Sequence, residues 1–268
     1  PFWKAERPDA GELWMTVLDV GQGLSIVVQT QNHVLIYDAG PGFPSGYNTG
    51  DSVVLPFLAK SGIHRIDKLM ISHSDTDHAG GAEAIFRAIH VDNVLAGEPE
   101  KIRWAKSRHC HKNASWRWDQ VAFRILSPTT QQPGNNGSCV LQITDLSGSS
   151  VLVPGDIEWP IEHYLVNKFS DNLDSDVLVA PHHGSKTSSR FTFLQHISPE
   201  TVLIPAGYKN RYGFPHPLVV DKYRQLETDI FVTGIDGALF VKSRKNAAGY
   251  SIDTYRKTHK RYWQTVLK

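Results

Sequence analysis

Ile71-Ser72-His73-Ser74-Asp75-Thr76-Asp77-His78-Ala79-Gly80-Gly81 puts four metal-capable side chains within six residues, spaced H-x-D-x-D-H. The apolar run Lys68-Leu69-Met70-Ile71 leads into it, and a helix-like segment, 79–89, follows. A strand that ends in such a loop sets alternate side chains on one face. His73, Asp75 and Asp77 then converge, and His78 comes in from the next turn. Imidazole with carboxylate suits a first-row divalent ion. A polar turn that merely holds two His and two Asp is the bland alternative, and it accounts poorly for so dense a cluster.

Around this loop the chain alternates apolar runs with helical stretches. Residues 13–20, 24–29 and 34–37 read as strands joined by Gly21-Gln22-Gly23 and Gln31-Asn32, a meander. Residues 53–60 and 82–89 read as helices, and 68–72 and 91–95 as strands. The polar, weakly patterned residues 98–115 are expected to form a surface excursion. Residues 121–126, 139–144 and 151–153 are expected as strands, with a loop at 130–138. Helices are expected at 158–168, 191–196 and 218–226, and strands at 176–180, 201–205 and 229–233. Residues 238–242 and 249–255 close the sheet. This order fits an α+β sandwich, two mixed sheets packed face to face with helices outside. No linker rich in Pro or Ser divides the chain, so it reads as one domain, 1–268, with a basic tail at about 243–268.

The 268 residues carry 28 Lys and Arg against 27 Asp and Glu, so net charge names no partner. The C-terminal stretch differs. Lys242, Arg244, Lys245, Arg256, Lys257, Lys260, Arg261 and Lys268 oppose only Asp253 and interleave with Tyr255, Tyr262 and Trp263. Basic plus aromatic suits a phosphate backbone and stacked bases; a solvated terminus is the plain alternative. No apolar run has the length to span a bilayer, and no secretory signal is visible. A chain that begins at Pro1 is read as a piece of something larger. The two cysteines, Cys110 and Cys139, form no C-x-x-C, which excludes a zinc ribbon. They fit either one disulfide or two buried thiols.

Further candidates follow later strands. Asp156 comes after Val151-Leu152-Val153 and a Pro-Gly turn, so its carboxylate sits at a strand end. There it can bridge two cations about 3.5–4 Å apart, or cap the next helix. His182 and His183 follow Val177-Leu178-Val179-Ala180, and strand alternation lets only one of them face a metal. Ser185 and Lys186 open the loop 184–190, an expected anion site ahead of a helix or else a plain N-capping loop. Tyr208, Lys209, Asn210, Arg211 and Tyr212 form a second basic, aromatic loop. No Ser-His-Asp arrangement competes for the chemistry.

From His73 to Gly81 the chain resembles the metallo-β-lactamase superfamily, an αββα sandwich with a dinuclear metal site. Asp75 stands where that superfamily usually has a second His, and this departure resembles the C-terminal domain of the ComEC competence-protein family. Leu18-Asp19-Val20-Gly21-Gln22-Gly23, Asp38-Ala39-Gly40, Asn135-Asn136-Gly137-Ser138-Cys139-Val140, Pro154-Gly155-Asp156 and Pro181-His182-His183-Gly184-Ser185 match its blocks in order. The resemblance implies His73 and Asp75 on one metal, Asp77, His78 and His182 on the other, and Asp156 between them. His183 then holds a carboxylate or the substrate phosphate, and Asp77 also orients the attacking water. Asp38, Asn136 and Ser138 are supporting residues; the superfamily's further His is missing from the block holding the last two. Asn210 and His216 are carried over near the site, with Phe214 where many relatives carry a His. Substrate-binding roles fall to Ser185, Lys186, Asn210, Arg211 and Tyr212.

Carboxylate in place of imidazole hardens the metal shell, which favours two Mn2+, with Zn2+ or Mg2+ as alternatives and no organic cofactor. The resemblance further implies a nuclease that degrades the non-imported strand during natural transformation, acting on DNA without sequence preference and favouring single strands. Its parent would be a bacterial inner-membrane channel working with other DNA-uptake proteins, and this domain would lie on the periplasmic side. That compartment is oxidising, which favours a Cys110–Cys139 disulfide. A small-lactone or nucleotide hydrolase and a DNA-binding module without turnover are the rival readings.

Overall fold

The central strands are apolar along their whole length because both of their faces are covered. In Val34–Tyr37, Leu35 and Tyr37 enter the core between the sheets, while Val34 and Ile36 meet the helices outside. Ser150–Val153 does the same: Val151 and Val153 face inward and Leu152 outward. The computed structural model describes residues 6–111, 113–128, 132–244 and 247–259.

One sheet has eight strands, in the order Tyr250–Thr254, Leu239–Ser243, Trp14–Val17, Ile26–Gln29, Val34–Tyr37, Lys68–Ile71, Val94–Ala96 and Ser107–His109. The first five pair antiparallel, and from Val34–Tyr37 onward the pairing is parallel. The second sheet has seven strands: Asp229–Val232, Thr201–Ile204, Val177–Val179, Ser150–Val153, Val140–Thr144, Val121–Ser127 and Ser115–Trp118. Its first four are parallel and the rest antiparallel. Helices Leu55–Lys60 and Ala82–Ala88 cover the first sheet through Leu58, Ala82 and Ile85. Trp159–Phe169, Phe191–Ile197 and Pro217–Gln225 cover the second through Leu165, Phe193 and Tyr223. This is the expected two-sheet sandwich with helices outside.

Two expectations change. The stretch 98–115 is not all surface excursion, because Ser107–His109 adds a parallel edge strand and Cys110 behind it is fully buried. A three-residue strand with one partner needs no apolar alternation, so its sequence gave no sign. Within the basic tail expected from about 243, the strand Tyr250–Thr254 forms where 249–255 is expected to close the sheet, and the helical turn Tyr255–Thr258 follows it where no element is expected. Lys245, Lys260, Arg261, Tyr262, Trp263 and Lys268, like residues 129–131 of the expected loop, lie outside the described residues. Among the described residues no helix is long and apolar enough to cross a membrane.

Cys110 and Cys139 are joined by a disulfide, with Cα atoms 5.9 Å apart. It ties the edge of one sheet to the first residue before Val140–Thr144 in the other. Closing a loop of this length removes unfolded-state entropy worth about 2–4 kcal/mol. The double variant Cys110→Ala/Cys139→Ala is therefore expected to lose stability of that order, read as a lowered denaturation midpoint. Intact mass of the wild type should rise by two protons on reduction; an unchanged mass would refute the bond.

Candidate metal centre

The carboxyl ends of the parallel strands from both sheets meet at one rim, and every clustered side chain sits on a loop that leaves such a strand. Asp38 follows Val34–Tyr37 in a left-handed turn, φ 57°. Asp tolerates that region better than most side chains. His73 follows Lys68–Ile71, and the single helical turn Thr76–Ala79 carries Asp77 and His78. Asp156 follows Ser150–Val153, and His183 follows Val177–Val179. The Gly21-Gln22-Gly23 turn has a packing reason. A Cβ on Gly23 would stand 2.4 Å from the Asp77 carbonyl oxygen, which accepts the Leu24 amide.

The side chains converge tightly. His78 Nε2 lies 3.1 Å from both Asp156 Oδ1 and His183 Nε2. Asp156 Oδ2 lies 3.4 Å from His183 Nε2, and Asp77 Oδ2 lies 3.3 Å from the same nitrogen. His73, His78 and Asp156 form one group able to hold a cation, and Asp77, His78 and His183 a second that shares His78. The rings are fixed from behind. Asp38 Oδ2 accepts His78 Nδ1 at 2.7 Å, the Pro205 carbonyl accepts His183 Nδ1 at 2.8 Å, and both Nε2 atoms therefore face the cluster. Ser72 donates its amide and its hydroxyl to Asp38, each at 2.6 Å.

The residues fit a divalent cation on two observations. His73 Nε2 is buried with no hydrogen-bond partner, and lies 3.5 Å from Asp75 Oδ2. An orphaned imidazole nitrogen beside carboxylates is what an absent cation leaves behind. The second observation is charge. Burial opposes ionisation of Asp156, yet His183 and His78 hold it well below the usual carboxylate range. In turn burial opposes protonation of His183, yet Asp156 and Asp77 push it up to about 9. His78 is likewise raised by Asp156 and Asp38 against its burial. The carboxylates thus hold both imidazoles toward their protonated forms, the mark of a site with negative charge to balance. A divalent ion supplies that charge and displaces those protons.

The two adjacent histidines exchange the places expected for them. His183 is in the cluster, while His182 is part exposed, with Nδ1 3.1 Å from Thr187 Oγ1 and Nε2 3.9 Å from Asp156. Strand alternation does not apply, because both residues are left-handed, φ 49° and 54°, after the strand has ended. Asp75 lies at the exposed rim, held below its ordinary range by its contact to His73. Ser138 Oγ accepts the Asp156 amide at 3.2 Å and stands 3.4 Å from His73 Nδ1. Asn136 Oδ1 accepts the Glu158 amide. Asp156 does not cap the following helix, whose N-cap is Glu158.

The expected substrate residues divide. His216 lies outside the cluster: its ring caps the helix Pro217–Gln225, with Nδ1 accepting the Leu218 amide. Asn210 is spent inside its own loop, bonding Gly207, Tyr212 and Phe214. Ser185 Oγ pairs with Thr187. The loop 184–190 is no open anion site, since the buried carboxylate of Glu162 already accepts the Ser189 and Arg190 amides. Burial pushes that carboxyl up to about 7 against those two bonds. Lys186, Arg211 and Tyr212 are exposed. Four further side chains were given no role from the sequence. Glu98 accepts the Ser74 and Gly134 amides and pairs with Lys101, which hold its carboxyl at about 2 despite burial. Phe214 packs on both His182 and His183. Phe43 and Tyr47 stand exposed on the loop whose Gly42 amide bonds Thr76.

Residues 18–207 match the family described as the Metallo-beta-lactamase superfamily. The chain is 38% identical over 264 residues to "Competence protein ComA" of Neisseria gonorrhoeae, covering 96% of this chain and 36% of that protein. It is 33% identical over 229 residues to "Recombination protein 2" of Haemophilus influenzae, covering 84% of this chain and 28% of the relative. The chain thus spans about a third of the length of these relatives. Among solved structures, the metallo hydrolase Igni18 of the archaeon Ignicoccus hospitalis superposes with a TM-score of 0.53 at 12% identity. It covers 85% of this chain and 98% of that one, a likeness of fold.

The support behind His78 is testable apart from any reaction. Asp38→Asn keeps shape and removes the charge that orients His78. It is expected to weaken divalent-metal affinity by roughly 10–100-fold. Asp156→Ala is expected to lower the metal retained per chain, measured by elemental analysis after dialysis. Full wild-type metal content in Asp156→Ala would remove Asp156 from the centre.

Proposed function

The chain belongs to the metallo-beta-lactamase superfamily, and on that premise we propose that its centre hydrolyses phosphodiester bonds of DNA. The observation that carries the reading is the cluster of buried His73, His78, Asp156 and His183 with half-buried Asp77, on loops next to exposed cations and aromatic rings. His73 and Asp75 would hold one ion, Asp77, His78 and His183 the other, with Asp156 between them. When bound, the divalent pair acidifies water and neutralises phosphate charge. Manganese comes first, on the carboxylate-rich shell, with zinc or magnesium as alternatives.

The protein's own groups do the rest. Asp77 is a third exposed and 3.3 Å from His183 Nε2, so its carboxylate meets both the cluster and solvent. It is placed to orient the attacking water and take its proton. Lys186 and Lys209, exposed on neighbouring loops, bind phosphates and no base edges, which makes recognition sequence-blind. A relative named as a competence protein, at 38% identity, supports a role in DNA uptake; the domain's part in it would be to degrade the strand that is not imported. The Cys110–Cys139 bond supports an oxidising compartment, as the periplasm is. On this reading the parent is an inner-membrane channel protein acting with other uptake components.

The test is metal-reconstituted protein with end-labelled single- and double-stranded DNA, across manganese, magnesium and zinc. Cleavage is expected, fastest on single strands with manganese. Lys186→Glu/Lys209→Glu should raise KM for DNA and flatten a salt dependence of roughly 0.7 per single-strand phosphate contacted. Hydrolysis of a small lactone or nucleotide with indifference to DNA would replace this reading by a small-substrate hydrolase. DNA affinity without cleavage under any metal would make the domain a binding module.

A further inference from the structure

An aromatic stack runs outward from the centre. His183 packs on Phe214 with centroids 6.4 Å apart and planes 24° apart, and Phe214 packs on Tyr212 at 5.7 Å and 18°. The stack starts on a residue of the cluster and ends on a ring that is 53% exposed. A tyrosine left this open on a loop is ordinarily floppy. Here Phe214 backs one face, and Asn210 bonds the amides of both Tyr212 and Phe214, fixing the loop. Arg211 donates to the Tyr212 hydroxyl at 2.7 Å, with its guanidinium carbon 4.8 Å from the ring centre. It therefore lies over the ring, so a base that stacks there takes the place of the guanidinium, which turns to the adjoining phosphate. Tyr208, on the same loop and 51% exposed, carries Lys209 in the same way at 5.3 Å.

We propose that Tyr212 is a stacking platform for one unpaired nucleobase of a single-stranded nucleic acid, with Arg211 beside it for the adjoining phosphate. This rests on the nuclease reading and names the feature that selects the unpaired strand. Every base offers a π-face, so the platform is blind to sequence. A base inside a duplex is already stacked on both sides and offers none. Each cation beside an exposed ring matches a nucleotide, one flat apolar face joined to one negative charge. The placement matters for register: a base held on Tyr212 sits two ring contacts from His183, so the neighbouring phosphate is carried toward the cluster.

The test uses the full chain in chelator, so that binding is read without cleavage. The probes are a fluorescent oligothymidylate, an abasic strand of the same length and a duplex. Wild type should prefer the base-bearing strand to the abasic one. Tyr212→Ala should weaken oligothymidylate binding roughly 5- to 150-fold, and leave the abasic strand and the duplex bound as by wild type. Tyr212→Phe keeps the ring and should keep the preference, which separates stacking from loss of the hydroxyl. Equal weakening on all three probes, or none on oligothymidylate, overturns the platform. Wild type that binds strands without telling base from abasic overturns it too, and leaves the nuclease reading standing. No binding of any probe overturns the platform and removes the support for DNA as substrate.

Discussion

The buried carboxylate of Asp38 is the constraint on which the centre depends. It is wholly excluded from solvent at the end of a parallel strand, where an unpaired charge would cost several kcal/mol. Its bonds from the Ser72 amide, the Ser72 hydroxyl and His78 Nδ1 answer that cost, and each fixes a part of the site. The amide sets where the chain leaves Lys68–Ile71, one residue before His73. The imidazole bond decides which nitrogen of His78 faces the cluster. The left-handed turn at Asp38 aims the carboxylate back across the rim. A centre made from loops of two sheets thus has its orientation set from beneath by one side chain that never meets solvent.

The sandwich explains why those loops meet. Each sheet is antiparallel over one half and parallel over the other, and the parallel halves bring several carboxyl ends to the same edge. In open parallel sheets that edge is where ligands bind, because loops leaving it are free of the pairing that constrains the strands. The first sheet supplies Asp38, His73, Asp77 and His78, and the second supplies Asp156 and His183. The sheets are linked near the metal loop by the Cys110–Cys139 bond, by the Cys139 amide donated to the Ser72 carbonyl at 3.1 Å, and by the Tyr37 hydroxyl donated to the Cys139 carbonyl at 2.7 Å. The disulfide lies one residue from Ser138, which touches both His73 and Asp156. Loss of the bond would therefore reach the centre as well as global stability.

Much of this was legible in the residues, for physical reasons. Strands buried on both faces leave continuous Val, Leu and Ile runs, and H-x-D-x-D-H has few uses other than a cation. What stayed hidden depends on contacts between distant parts of the chain. Glu98 looks like any surface acid, and only the fold brings Ser74 and Gly134 to it. Glu162 looks like a helix-surface carboxylate, yet it closes the loop 184–190 against anions by filling the amides an anion would need. Strand alternation admits only one of His182 and His183, and resemblance picks His182, but that alternation ends with the strand. His216 is placed by resemblance, and its ring caps the helix Pro217–Gln225 instead. Local pattern reports local geometry, and it fails where a left-handed residue or a remote partner sets the direction of a side chain.

The shape of the rim bears on what the centre acts on. A cavity of about 740 Å3 lies elsewhere, against Trp14, Phe57, Phe240 and Arg256, and none of the clustered His or Asp lines it. A small substrate is normally enclosed over most of its surface, in a pocket whose walls supply the binding energy. Phe43 and Tyr47 stand exposed on one loop and Tyr208 and Tyr212 on another. A polymer needs no enclosure, because each repeating unit adds a contact along the surface and the reacting bond only has to pass the metal. Tyr208 and Tyr212, each with a cation beside its ring, meet that requirement on the proposed reading of the centre as a nuclease.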